Sequence, residues 1–153
     1  MKRLAFATGV VLAAVTAAEA ARPAPADRCF RSAAVDAKIA EIAPKLTNPS
    51  LREMFVSCYP NTLDTTVKGD DYVITGDIDA MWLRDSAAQV WPYLRFVRED
   101  AKLKNLIAGL LRRQFSSIRL DPYANAFNRG PDGSRWSADK TDLLPELHER
   151  KWE

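Results

Sequence analysis

Leu103, Leu106, Ile107, Leu110, Leu111 and Phe115 recur at the three- and four-residue steps that gather side chains on one side of an α-helix. A stripe this long, in a helix expected from Ala101 to Ile118, must be buried against other elements, and that constrains the rest of the chain. The basic pair Arg112-Arg113 lies towards its end, where cations suit the helix dipole. What the sequence offers as partners is more helix. Val35, Ile39, Ile42 and Leu46 keep a helical period, with Pro44 ending or kinking that helix early. Asn48-Pro49-Ser50 is a breaker that also supplies a capping residue. Leu51, Met54, Phe55 and Cys58 then mark a second amphipathic helix, which stops at Tyr59-Pro60.

The remainder follows the same pattern. Asn61 to Val67 reads as an irregular polar connection, and Gly69-Asp70-Asp71 as a turn. Tyr72, Val73 and Ile74 form the one short run with strand character. Ser86 to Val97 reads as a helix despite Pro92. A long stretch, Asp121 to Asp142, is rich in Pro, Gly, Asn and Asp yet carries Tyr123, Phe127 and Trp136; loops of that length inside a domain are usually functional or disordered. Pro145 opens a last helical segment, Glu146 to Glu153, with no Gly or Pro to end it. The expected class is therefore all-α. Helical hairpins stack on each other, with at most one short strand or hairpin near 72–77, as part of a larger array.

The first twenty residues differ from the rest. Lys2 and Arg3 precede an apolar Ala/Val-rich run from Leu4 to Ala18, and Ala18-Glu19-Ala20 supplies small residues for cleavage. Residues 1–20 read as a secretory signal peptide, too short in its apolar run for the roughly 20 residues that span a bilayer. Export to a periplasmic or extracellular location follows, without stable membrane association after cleavage. Residues 21–32, with Arg22-Pro-Ala-Pro-Ala26, read as a Pro-stiffened leader, and 33–153 as the domain. An oxidising compartment permits a disulfide between Cys29 and Cys58; two separate buried thiols fit the sequence equally well. Neither cysteine has a neighbour at zinc-ligand spacing. A formal charge of +2, with basic and acidic residues interleaved, argues against nucleic acid as a partner.

The chemistry is densest between Tyr72 and Val90. The apolar run halts at Thr75-Gly76, and Asp77, Asp79, Asp85, Arg84 and Trp82 follow within nine residues. From there the spacing turns helical, with Leu83, Ala87 and Val90 or Trp91 on one face. Asp77-Ile-Asp79 after a short strand invites a divalent-metal site for sugar transfer or a phosphatase nucleophile. Both want repeating strand–helix units, and the second wants Gly and Thr where Ala80 and Met81 stand. Turn formation and helix capping are the plainer roles for these two carboxylates. Arg84-Asp85 reads either as a surface ion pair or as a guanidinium and carboxylate that also bind ligand hydroxyls. Trp82 is either core or a platform for the apolar face of a sugar ring. Acids, amides, one Arg and an aromatic compressed into a bend are what a carbohydrate pocket needs.

The run Ile74-Thr-Gly-Asp-Ile-Asp-Ala-Met-Trp-Leu-Arg-Asp-Ser86, followed by Gln89-Val90, closely resembles the signature of the metal-independent α-mannosidases, glycoside hydrolase family 125. The resemblance continues in Asp121-Pro-Tyr-Ala-Asn-Ala-Phe-Asn128 and in Glu149-Arg-Lys-Trp-Glu153. It implies an (α/α)6 toroid of helical hairpins, of which this chain supplies the N-terminal part. It also implies exo-hydrolysis of α-1,6-linked mannose with inversion of configuration, without metal or other cofactor, on mannose-containing oligosaccharides. An inverting glycosidase needs an acid and a base about 6.5–9.5 Å apart, and the family's pair is expected beyond residue 153. By motif position Asp77, Trp82, Arg84 and Asp85 become walls of the terminal mannose subsite. Asn125 and Asn128 become hydroxyl ligands from the long loop, unless they only shape its turns. His148 reads as a surface helical residue. Glu146, Glu149 and Glu153 read as a solvated acidic face, although Glu153 closes the third motif.

Overall fold

The computed structural model describes residues 21–124, 126–131 and 150–151. Four α-helices dominate: α1 (Ala33–Ile42), α2 (Pro49–Cys58), α3 (Leu83–Val90) and α4 (Ala101–Leu120). Five two-residue strands accompany them: β1 (Val67–Lys68), β2 (Tyr72–Val73), β3 (Met81–Trp82), β4 (Ala126–Phe127) and β5 (Arg150–Lys151). The mostly helical class is as expected. Of the strand or hairpin expected near 72–77, Tyr72 and Val73 form β2, which pairs with the earlier β1 across a turn at Gly69 with φ of 69°. The structure adds a second antiparallel set in the order β3–β4–β5.

Capping and proline chemistry set the helix bounds. The Ser32 hydroxyl accepts from the Val35 amide at the start of α1, which passes into a 3-10 turn, Ala43–Lys45, at Pro44. Asn48 caps α2 by accepting from the Leu51 amide, and Pro49 occupies the first turn, where its missing N–H costs nothing. Asp100 caps α4 the same way through the Leu103 amide at 3.0 Å. Pro92 falls in the opening turn of a 3-10 segment, Trp91–Phe96, so the helical path of 86–97 changes type there.

Two expectations fail in informative ways. The connection after Pro60 is a single π-helical turn, Thr62–Thr66, with Leu63 and Asp64 both buried. The leader is tied down: the Cys29 and Phe30 amides donate to the carbonyls of Asp64 and Leu63, and Arg22 reaches Asp64 and Asp36 at 2.6 Å each. An aspartate without water needs cations beside it, and Arg22 and Arg28 of the segment read as a Pro-stiffened leader supply them. Within 146–153, Arg150 and Lys151 form a strand rather than a helix. The charge period at 146, 149 and 153 offers no apolar face to bury, so ladder pairing overrides it. The other residues of that segment, including His148, lie outside the described residues. Cys29 and Cys58 are free and exposed, neither bonded nor buried.

The core is built where the elements meet. Val35 and Ile39 of α1, Tyr93 and Phe96 of the 3-10 segment, Leu103, Leu106 and Leu110 of α4, and Tyr72 and Val73 of β2 form one buried cluster. The stripe on α4 is only half buried, since Leu111, Phe115 and Ile118 face outward. Among the described residues no helix is long and apolar enough to cross a membrane.

Candidate carbohydrate-binding site

The chain from Thr75 to Trp82 is a loop held shut by one threonine. The Thr75 amide donates to the Ala80 carbonyl at 2.9 Å, and the Thr75 hydroxyl accepts from the Trp82 amide at 2.8 Å. Gly76 has φ of 95°, in a region that other residues rarely adopt, and the bend lifts Asp77 and Asp79 into solvent. Ala80 and Met81, at the loop's end, are buried. The bend is therefore anchored on one side and open on the other.

Trp82 ends β3, half buried, and α3 begins at the next residue. Asp85 lies in the first turn of α3, where the N-terminal end of the helix dipole favours a carboxylate. Arg84 and Asp85 pair at 3.0 Å, with side chains 85% and 41% exposed. At that exposure the pair contributes about 0–1 kcal/mol to stability, so its groups stay available for a ligand. Ser86, fully buried, donates to the Leu83 carbonyl and accepts from Gln114 at 2.8 Å, which locks the start of α3 onto α4.

Of the expected site residues, Asp77, Trp82, Arg84 and Asp85 lie on this one loop-and-helix corner. Asn128 is elsewhere. It is buried and lines a cavity of about 510 Å³ with Asp70, Asp71, Arg112, Arg113 and Ser117, a cavity that none of the other four lines. Asn125, Glu146, Glu149 and Glu153 lie outside the described residues.

Two residues hold the second motif in place, and neither was read from the sequence for that role. Arg113 binds Asp71 at 2.7 Å, donates to the Arg129 carbonyl at 2.9 Å and lies over the Tyr72 ring. The Tyr72 hydroxyl donates to the Phe127 carbonyl at 3.0 Å. Arg113 was legible only as a helix-end cation and Tyr72 as strand.

The strand ladder joins the three motif stretches. Met81 and Trp82 of the first face Phe127 and Ala126 of the second, and Ala126 and Phe127 face Lys151 and Arg150 of the third. Stretches up to 70 positions apart thus form one small sheet beside the exposed acids. The arrangement offers carboxylate acceptors, a guanidinium and an indole, which suits hydroxyl-rich ligands. Among the described residues no group of three or more His, Cys, Asp or Glu is placed to hold a metal ion.

A helical scaffold thus carries an acidic, aromatic corner beside a sheet that joins the three motifs. Residues 48–153 match the family described as metal-independent alpha-mannosidase (GH125), and the chain belongs to that family. It is 41% identical over 114 residues to the meiotically up-regulated gene 157 protein of Schizosaccharomyces pombe, covering 69% of this chain and 22% of the relative. Among solved structures it resembles a Streptococcus pneumoniae protein from work on metal-independent alpha mannosidases, in a non-productive complex with α-1,6-mannobiose. That likeness has a TM-score of 0.68 and 41% identity, over 82% of this chain and 31% of the other. The chain thus spans between a fifth and a third of the length of these relatives.

Proposed function

We propose that this chain is the N-terminal part of an exported exo-α-1,6-mannosidase that removes terminal mannose from oligosaccharides with inversion, needing no metal. The observation that carries the reading is the β3–β4–β5 sheet, in which the three family motifs are hydrogen-bonded side by side next to Asp77, Arg84 and Asp85. The Streptococcus pneumoniae relative holds α-1,6-mannobiose, which supports the linkage. In this reading Asp77, Trp82, Arg84 and Asp85 bind the terminal ring. The acid and base come from the part of the family fold that these residues do not supply, and the toroid is closed by that part.

The decisive assay offers α-1,6-mannobiose, with chelator present, to a family member of full length that carries this chain as its N-terminal part. Released β-mannose supports the reading; no product, or activity abolished by the chelator, overturns it. The 153-residue chain alone is expected to turn nothing over. Arg84→Ala is expected to leave the unfolding free energy within about 1 kcal/mol, because the pair is exposed, yet to weaken mannoside affinity tenfold or more.

Export rests on residues 1–20, and cleavage after Ala20 would leave the Arg22 ion pairs intact. N-terminal sequencing of the secreted protein tests this, with Ala21 as the expected first residue.

A further inference from the structure

The cavity beside Asn128 is walled on one side by a single face of α4. Gly109, Arg112, Arg113, Ser116, Ser117 and Leu120 follow one another there at one-, three- and four-residue steps, to one side of the stripe that enters the core. From Gly109 to Leu120 the helix rises about 16 Å, longer than a single sugar ring. The β1–β2 turn contributes Asp70 and Asp71, and β4 with its next residue contributes Phe127 and Asn128. A solvated helix face leaves its polar side chains in water. Here Ser117 is 7% exposed and Asn128 3%, so polar groups form the floor, while Arg112, Ser116 and Asp70 stand exposed at the rim. The volume, about 510 Å³, is that of a small-molecule site.

The charges select the ligand. Arg113 is held by Asp71 at 2.7 Å, whereas Arg112 and Asp70 make no ion pair among the described residues. Two guanidiniums against two carboxylates leave no net charge, and a phosphate site needs an excess of cations. A carboxylate, a guanidinium and hydroxyls around Leu120 and Phe127 suit a neutral, hydroxyl-rich ligand with apolar ring faces. The cavity also adjoins the acidic corner through β4. Ala126 faces Trp82, and Asn128 lies two residues further, about 7 Å along the chain.

We propose that this cavity is a second saccharide subsite, which takes the residues of an oligomannoside beyond the terminal disaccharide. This rests on the reading of the Asp77–Asp85 corner as the subsite for the terminal ring. Arg112 and Asp70 bracket vicinal hydroxyls of the inner residues, and Ser116 and Ser117 add hydroxyl contacts beside them. The preferred substrate is then a longer or branched oligomannoside, of which mannobiose fills only one end.

The test is calorimetry on a full-length family member that carries this chain as its N-terminal part. It compares S-linked α-1,6-thiomannobiose with the S-linked trimer, since neither is hydrolysed. The trimer should bind at least tenfold tighter. Arg112→Ala with Ser116→Ala, both exposed and outside the corner, should abolish that gain and leave thiomannobiose affinity and mannobiose turnover unchanged. Circular dichroism confirms that the variant is folded. A trimer that binds no tighter than the dimer, a gain that survives the double variant, or displacement of the trimer by millimolar inorganic phosphate each overturns the inference. Mannobiose turnover reads the corner separately. Its absence sinks the exo-mannosidase reading, while a length-dependent gain lost in the double variant still assigns the cavity.

Discussion

Asp64 is 2% exposed, and cations from another part of the chain compensate its burial. Arg22 binds it through two nitrogens, and Arg28 stands at 3.8 Å. Burial alone would lower the pKa of Arg22, but the hydrogen bonds it donates to Asp64 and Asp36, with their negative charge, outweigh it, and the value is raised. Removing one partner of such a buried pair strands the other. Asp64→Asn is therefore expected to cost about 3–5 kcal/mol, read as a lower urea midpoint. Nothing near position 64 in the sequence marks this role, because Asn61 to Val67 is polar by composition and Arg22 lies among prolines. Tyr93 gives a pH signature. Burial pushes its hydroxyl up to about 12, and it donates to the Tyr59 carbonyl. The unfolded group ionises near the ordinary value of about 10 while the folded one stays neutral, so stability present below that pH is lost between about 10 and 12. Denaturation followed over this window should show the loss, and Tyr93→Phe should remove it.

Helix α4 shows what periodicity reveals and where it stops. Its start, its end to within two residues and four of its buried residues follow from spacing alone. Spacing alone cannot divide its apolar stripe into a part that meets this chain's core and a part turned away from it, since that depends on where the other elements lie. Gly109 is a second such case. A Cβ there would stand 2.2 Å from the Asp70 carbonyl oxygen, so the glycine is what lets α4 approach the β1–β2 turn. In an isolated helix interior Gly→Ala stabilises by about 1 kcal/mol. Here the clash is with backbone, and Gly109→Ala is expected to destabilise by about 1–3 kcal/mol. Thermal unfolding decides between the two signs. The Arg113–Asp71 pair, which spans the same contact, should loosen with it.

Across the whole molecule, the helices and the first hairpin were legible, but the sheet that unites the motifs was not. Two-residue strands carry too few side chains for an alternating pattern, and β4 and β5 sit in segments read as loop and helix. What identified those segments was the resemblance of residues 121–128 and 149–153, and the ladder supplies its physical reason: the second motif places backbone against the strand that ends the Asp77 loop, and the third places backbone against the second. β4 is the central strand, so the order of the set depends on it. Proline at position 126 has no N–H to give the ladder and is poorly tolerated in a central strand. Ala126→Pro should therefore release both neighbours at once. Hydrogen exchange is expected to accelerate at 81–82 and at 150–151 together, while the amides around Leu106 and Leu110, held by α4 and the core, keep their protection. Faster exchange on only one side would mean that the other motif is held by contacts of its own. The sheet would then be a consequence of the motif arrangement and not its cause.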